Sequence, residues 1–179
     1  FCCGPTCAGE ENRPFGIDTR IPWTTSRVVG SPDPPLPYVT AKAFSGVEWN
    51  RPIYAKREPG TDRLVVVLQG GEKDRPSQVQ WIEDRDDASE MSLFLEMSER
   101  LIYGLEFHPQ YQRNGFVFVF SNGPTGQPER MNRISRFRVV GNRDNAFVCD
   151  SDSEKIIIQW RSMGHDGGDL VFGLSLIHI

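Results

Sequence analysis

Long apolar runs are missing from the sequence, and no segment of its 179 residues approaches the ~18 consecutive apolar residues that a membrane-crossing helix needs. Positive charge is not in surplus: 20 Lys and Arg stand against 24 Asp and Glu, a net charge of -4, which argues against a nucleic-acid or anionic-membrane surface. The four cysteines are Cys2, Cys3 and Cys7, crowded together, and Cys149 alone downstream; they form neither a CxxCH haem site nor a paired CxxC metal site. No G-x-S-x-G elbow and no phosphate-cradling glycine loop is present, and Gln69-Gly70-Gly71 resembles neither. Helical signals are equally scarce. Ala88–Met97 could make two turns, but the alternation of Leu93, Leu95 and Met97 fits a strand as well.

What remains is an arm followed by repeated β-structure. Residues 1–9 end in the small residues Thr6 to Gly9 before Glu10 and Glu11, which reads as the remnant of a secretory signal, with room for a lipid anchor on Cys2 or Cys3; an adventitious cysteine cluster is the other reading. Residues 10–40 are rich in proline and glycine around Ser31–Pro37 and read as an extended arm, with Trp23 and Tyr38 placed to pack. From residue 41 short β-prone runs recur: 52–55, 64–68, 79–82 and 93–95, then 103–107, 116–120, 134–139 and 156–160, separated by Gly, Pro, Asp and Ser.

The two sets of four repeat each other. Asp62–Gly71 and Asn114–Gly123 superpose at a shift of 52 residues, a period suited to one four-stranded propeller blade. Their central runs are apolar without alternation, as expected when both faces of a blade are covered. The expected fold is all-β, a β-propeller of which residues 41–98 form one blade, 99–163 a second, and 164–173 the start of a third. Two blades and a beginning cannot close a ring, so the chain reads as part of a longer protein. Leu174–Ile179 breaks the pattern and reads as the translation of a sequencing-adapter end, so that segment, His178 included, is left out of functional reasoning.

The chemistry-bearing candidate is His165, in Gly164-His165-Asp166-Gly167-Gly168-Asp169-Leu170-Val171-Phe172-Gly173. A histidine beside glycines reads first as a satisfied turn residue. Its spacing from Gly167, Gly168 and the apolar run gives it a second reading, a group presented at a strand end. This stretch resembles the histidine-glycine signature of the glucose/sorbosone dehydrogenases, the soluble pyrroloquinoline quinone (PQQ) sugar dehydrogenases. Tyr103–Tyr111 and Asn132–Phe137 are similar to two further segments of that family, in the same order.

The resemblance implies a six-bladed propeller, export to the periplasm or outside the cell, and oxidation of a sugar hydroxyl to a lactone by hydride transfer to PQQ. His165 would be the general base, Gly167 and Gly168 would leave backbone room near the quinone, and calcium would polarise it. The calcium and remaining cofactor ligands would lie in later blades, with no metal ligand in this stretch. The partners implied are a sugar and an electron acceptor, which could be a cytochrome c domain; no nucleic acid is expected, and no transmembrane segment lies in this stretch. Two departures put the substrate in doubt: Gly164 stands where the family often has a sugar-contacting aspartate, and Glu99 or its neighbours stand where a pocket glutamine is expected.

Other candidates read blandly. His108 reads as a turn histidine ending a strand. Asp150–Glu154 and Glu83–Asp87 read as solvated turns, the first lacking the glycine and distal glutamate of a calcium loop. Arg133, Arg136 and Arg138 read as makers of rim salt bridges. Two alternatives to the dehydrogenase stay open: a propeller binding module without redox chemistry, and a calcium-dependent lactonase on a similar propeller.

Overall fold

The computed structural model describes residue 24, residues 39–141 and residues 147–173. The signal remnant at 1–9, the adapter-like end at 174–179 and most of the arm at 10–40 lie outside the described residues. The chain divides into two units at Ala41, and the strands belong to the second, from Lys42 onward.

Eight strands form: β1 (Pro52–Arg57), β2 (Arg63–Leu68), β3 (Ser77–Glu83), β4 (Ser92–Met97), β5 (Leu101–Phe107), β6 (Phe116–Gly123), β7 (Met131–Val140) and β8 (Val148–Arg161). Each contains one of the eight runs expected from the sequence. They assemble as two antiparallel meanders, β1-β2-β3-β4 and β5-β6-β7-β8. Both sheets carry a register shift in the first pair of strands and another in the last pair, so the repeat extends to the irregularities. The structure is all-β with almost no helix.

The unalternating strands are explained by what covers them. Val65 and Val67 of β2 and, 52 residues on, Val117 and Val119 of β6 lie in one core between the sheets, together with Val79, Phe94, Leu95, Ile102, Leu105 and Phe137. The opposite face of β2 supplies Val66 and Leu68 to a second cluster with Ile82, closed by Phe44, Val47 and Trp49 of the segment before β1. Fully burying one such aliphatic or aromatic side chain is worth about 1.5–3 kcal/mol. Core therefore lies on both sides of β2.

The far face of the second sheet is covered differently. Phe120 stacks on Trp160 at 5.7 Å, and Phe172 packs edge-on against Phe118 at 5.2 Å and His108 at 5.4 Å. Ile156, Ile157, Ile158 and Trp160 of β8 stay 41–53% exposed.

Four local features differ from the sequence reading. A one-turn helix, α1 (Tyr111–Asn114), sits between β5 and β6, ended by Gly115 in the left-handed region at φ 65°. A Cβ at Gly115 would come within 3.0 Å of the Val139 carbonyl. Asp150–Glu154 is not a turn between strands but lies within β8, where Arg138 pairs with Asp150 and Arg136 with Lys155, so the acidic residues bulge out of the ladder. The segment 164–173 pairs with no strand among the described residues; a ladder needs a neighbour's N–H and C=O groups, and this stretch instead folds back over β6. Of the three arginines, Arg133 does pair with Glu154 at 3.1 Å, but Arg136 lies over the Phe116 ring at 4.1 Å, using the ring's negative face rather than a carboxylate.

Candidate functional site

β8 ends at Arg161, and the chain turns at Ser162, whose N–H donates to the Arg130 carbonyl at 2.9 Å. Two successive residues then take left-handed backbone: Gly164 at φ 84° and His165 at φ 53°. The first suits glycine, whereas the second is uncommon for a residue with a Cβ and holds only where surroundings impose it. His165 is exposed and lies in a bend rather than at a strand end. It lines an open cleft of about 640 Å³ with Tyr103, Pro128, Arg130, Arg161, Ser162, Met163, Gly164 and Asp166.

The residue beside it is the better anchored. Asp166 accepts hydrogen bonds from Asn132 Nδ2 at 2.6 Å, Asn122 Nδ2 at 3.1 Å and Ser162 Oγ at 2.5 Å. The Ser162 hydroxyl first, and Asn132 next, hold its carboxyl below the usual carboxylate range. Asn122 and Asn132 are buried, stand directly opposite each other on β6 and β7, and are joined by a 3.0 Å hydrogen bond. Burial, aided by the Asp166 charge, raises the Tyr103 phenol above its ordinary value.

Gly167 and Gly168 differ from each other. A Cβ at Gly167 would meet nothing within 4 Å, so open space lies beside it; one at Gly168, φ 153°, would touch the Phe120 ring at 3.6 Å. Beyond them Asp169 accepts a hydrogen bond from the Tyr54 hydroxyl of β1 at 3.3 Å. Near that contact Lys56 pairs with Glu106.

His165, Gly167 and Gly168 thus share one loop over the second sheet, whereas Glu99 does not join them. It lies in the β4–β5 turn at φ 55°, exposed, and lines no part of the cleft. His108 closes β5 as expected: its Nδ1 accepts from the Gln110 N–H at 2.9 Å and from Asn114 Nδ2 at 2.8 Å. Glu83–Asp87 leaves the end of β3 as a turn, as expected; Arg85 pairs with Glu83 and Asp87 within it, whereas Asp84 pairs with Arg57 of β1. Asn122, Asn132, Asp166 and Tyr103 all fall in the stretches singled out from the sequence, but their convergence was not read there. An asparagine ending an otherwise apolar strand is the signal that could have found the first.

A second cleft, about 550 Å³, lies beside α1 and the β1–β2 turn. Its carboxylate, Glu58, is 2% exposed and already engaged: Tyr111 Oη donates at 2.6 Å, Arg63 Nε at 2.7 Å and Thr61 Oγ1 at 3.1 Å. Such saturation marks a structural tie rather than a reactive group. Among the described residues no group of three or more His, Cys, Asp or Glu side chains is arranged to hold a metal ion, and no helix is long and apolar enough to cross a membrane. No protein-family model matches the chain.

Proposed function

We propose that this chain is part of an exported propeller that oxidises a sugar at its anomeric hydroxyl, with His165 as general base. The observation that carries the reading is His165 itself: an exposed imidazole on a strained backbone, beside a cleft and beside the open space at Gly167. An imidazole ring nitrogen can accept a proton from a bound hydroxyl, which is the task of a general base.

The propeller part of the proposal rests on how the sheets stack. The outer strands β1 and β4 lie against their counterparts β5 and β8, as in adjacent blades, and β2 and β3 also touch β5. The half-exposed isoleucines of β8 offer a surface on which a further blade would sit.

The residues present fit a flat quinone to this extent: Gly167 leaves room beside His165, and Arg130 and Arg161 line the same cleft as possible partners for carboxylate groups. When bound, the quinone would supply the two-electron acceptor for the hydride leaving the anomeric carbon. Calcium finds no ligand cluster among the described residues. The chain's own part is narrower. His165 would take the hydroxyl proton as the carbon–oxygen double bond of the lactone forms, and Tyr103 and Arg130 line the cleft in which the sugar would lie. The electrons would pass on to an acceptor such as a cytochrome c domain.

Gly164 favours a second reading, a binding propeller of the same architecture. At φ 84° this position suits glycine, so the sugar-contacting aspartate of the resembled family is absent for a backbone reason. One experiment separates the two. In the full-length protein His165→Ala should abolish sugar-dependent dye reduction, by at least ~100-fold for a general base, while quinone binding persists. Retained turnover removes His165 from the role, and absence of any calcium-dependent quinone binding by the parent protein leaves the binding module.

A further inference from the structure

The loop that carries His165 has no β-ladder to hold it, since residues 162–173 pair with no strand among the described residues. It nevertheless keeps His165 at φ 53° directly after Gly164 at φ 84°. A non-glycine residue in that region is strained and persists only when neighbouring structure over-determines it. Something other than backbone pairing must do so.

Two carboxylates do. Asp166 is met by three donors, of which Asn122 and Asn132 are 0% and 4% exposed and fixed opposite each other on β6 and β7. A buried amide pair gives a sheet nothing that apolar side chains would not, because each amide loses water on burial and regains at best comparable hydrogen bonds. Its use here is directional, since Asn122 Nδ2 serves Asn132 Oδ1 and Asp166 Oδ2 together. Three residues on, Asp169 is met by Tyr54 from the other sheet, and between these anchors Gly168 passes over β5, where its carbonyl lies 3.9 Å from the position a Cβ on Gly104 would take. One end of the loop is fastened to β6 and β7, the other to β1.

We propose that Asp166 and Asp169 are positioning residues, a two-point clamp that fastens the 164–169 loop across both sheets and thereby sets the direction of the His165 imidazole. The proposal rests on the reading of His165 as the base, and its test has a part that does not. An acceptor-only carboxylate suits the Asp166 position because every group facing it there is a donor; an alanine would leave two buried amides and a hydroxyl without their partner.

The test uses the full-length protein and two readouts, backbone NMR order parameters without quinone or sugar, and steady-state turnover. Asp166→Ala should take the order parameters across 164–169 from a rigid value of about 0.85 to below about 0.6 while β6 and β7 keep wild-type values. Tyr54→Phe should do so only around 168–170. In turnover Asp166→Ala should lower kcat by roughly 10–100-fold, as removal of orienting partners does, with KM within about 3-fold and quinone binding kept. Wild-type order parameters across the loop, or wild-type kcat, overturn the clamp. If Asp166→Ala loosens β6 and β7 throughout, Asp166→Asn decides. It keeps the shape and one acceptor, so values between wild type and alanine support the clamp and wild-type values in both readouts refute it. An active His165→Ala variant would sink the base assignment and leave the order-parameter result standing. An inactive His165→Ala beside an unaffected Asp166→Ala loop would sink the clamp alone.

Discussion

Tyr111→Phe removes one oxygen atom from the partners of Glu58, a buried carboxylate. The phenol donates at 2.6 Å to Glu58, whose carboxylate at the end of β1 is 2% exposed and shares Arg63 and Thr61 as its other partners. The Arg63 guanidinium is held in turn between the rings of Trp81 and Phe147, at 4.9 and 4.4 Å, and cannot swing to compensate. The aromatic ring stays in the core, so the loss is the hydrogen bond to a charged acceptor, about 1.5–3 kcal/mol. With a urea slope of about 2 kcal/mol per molar, 2 kcal/mol moves the midpoint down by roughly 1 M. The pH dependence gives a second check. Burial first, and the Glu58 hydrogen bond next, push the Tyr111 phenol far above its ordinary value of 10.0. A raised folded-state value is a stabilising term present below pH 10 and lost as the pH climbs beyond it, because the unfolded chain then releases a proton that the folded chain keeps. The phenylalanine variant has no such proton. Its deficit should be largest near pH 7 and narrow above pH 10. The buried Cys149 thiol, also raised, is common to both proteins and cancels in the difference. Urea titrations of the pair at pH 7 and pH 10.5 measure this, and a deficit absent at pH 7, or constant across the two, refutes the reasoning.

The core and the turns supply two further tests. Phe94, 1% exposed and packed edge-on against Phe107 at 6.3 Å, joins the two sheets, and Phe94→Ala should cost about 3–5 kcal/mol in the same titration; a loss below 1 kcal/mol would mean that the sheets do not share one core. Gly123→Ala would set a Cβ 2.5 Å from the Glu99 carbonyl and 3.1 Å from Arg100 Cα, backbone that can yield only by moving the β4–β5 turn. Gly126→Ala meets nothing within 4 Å and carries only the strain of φ 77°, on the order of 1 kcal/mol. The first variant should therefore unfold at lower urea than the second, and the opposite order contradicts the packing described for that turn.

The strands were legible because each is an apolar or β-branched run bracketed by Gly, Pro, Asp or Ser, and because β2 and β6 hide both faces and so lose the alternation that exposure imposes. α1 was not, since four residues leave no period to read. Asp150–Glu154 has the composition of a turn and was read as one; a bulge lets a long strand carry the same polar residues outward without ending. In the site, His165, Gly167 and Gly168 stand out in one dimension through spacing alone. The contacts that fasten them do not: Asn122 and Asn132 are ten residues apart and meet only through the β6–β7 register, and Tyr54 reaches Asp169 across 115 residues. Arg100 was invisible for the same reason. Its guanidinium, pushed down to about 10 by burial, is satisfied by Ser121 and by the Met131 carbonyl, partners from two other strands.

Because each sheet is a meander, every ladder closes between neighbours in the chain, which keeps loop-closure costs low and lets strands pair in the order of their synthesis. The first sheet can therefore be complete while the second is still within the ribosome. Its Phe44 side can be covered from the start, but Val65, Val67, Val79 and Phe94 have no cover until Ile102, Leu105, Val117 and Val119 emerge. That interval, from the end of β4 to the end of β6, is when the emerging chain displays half a core to solvent. A holding chaperone would find a target there.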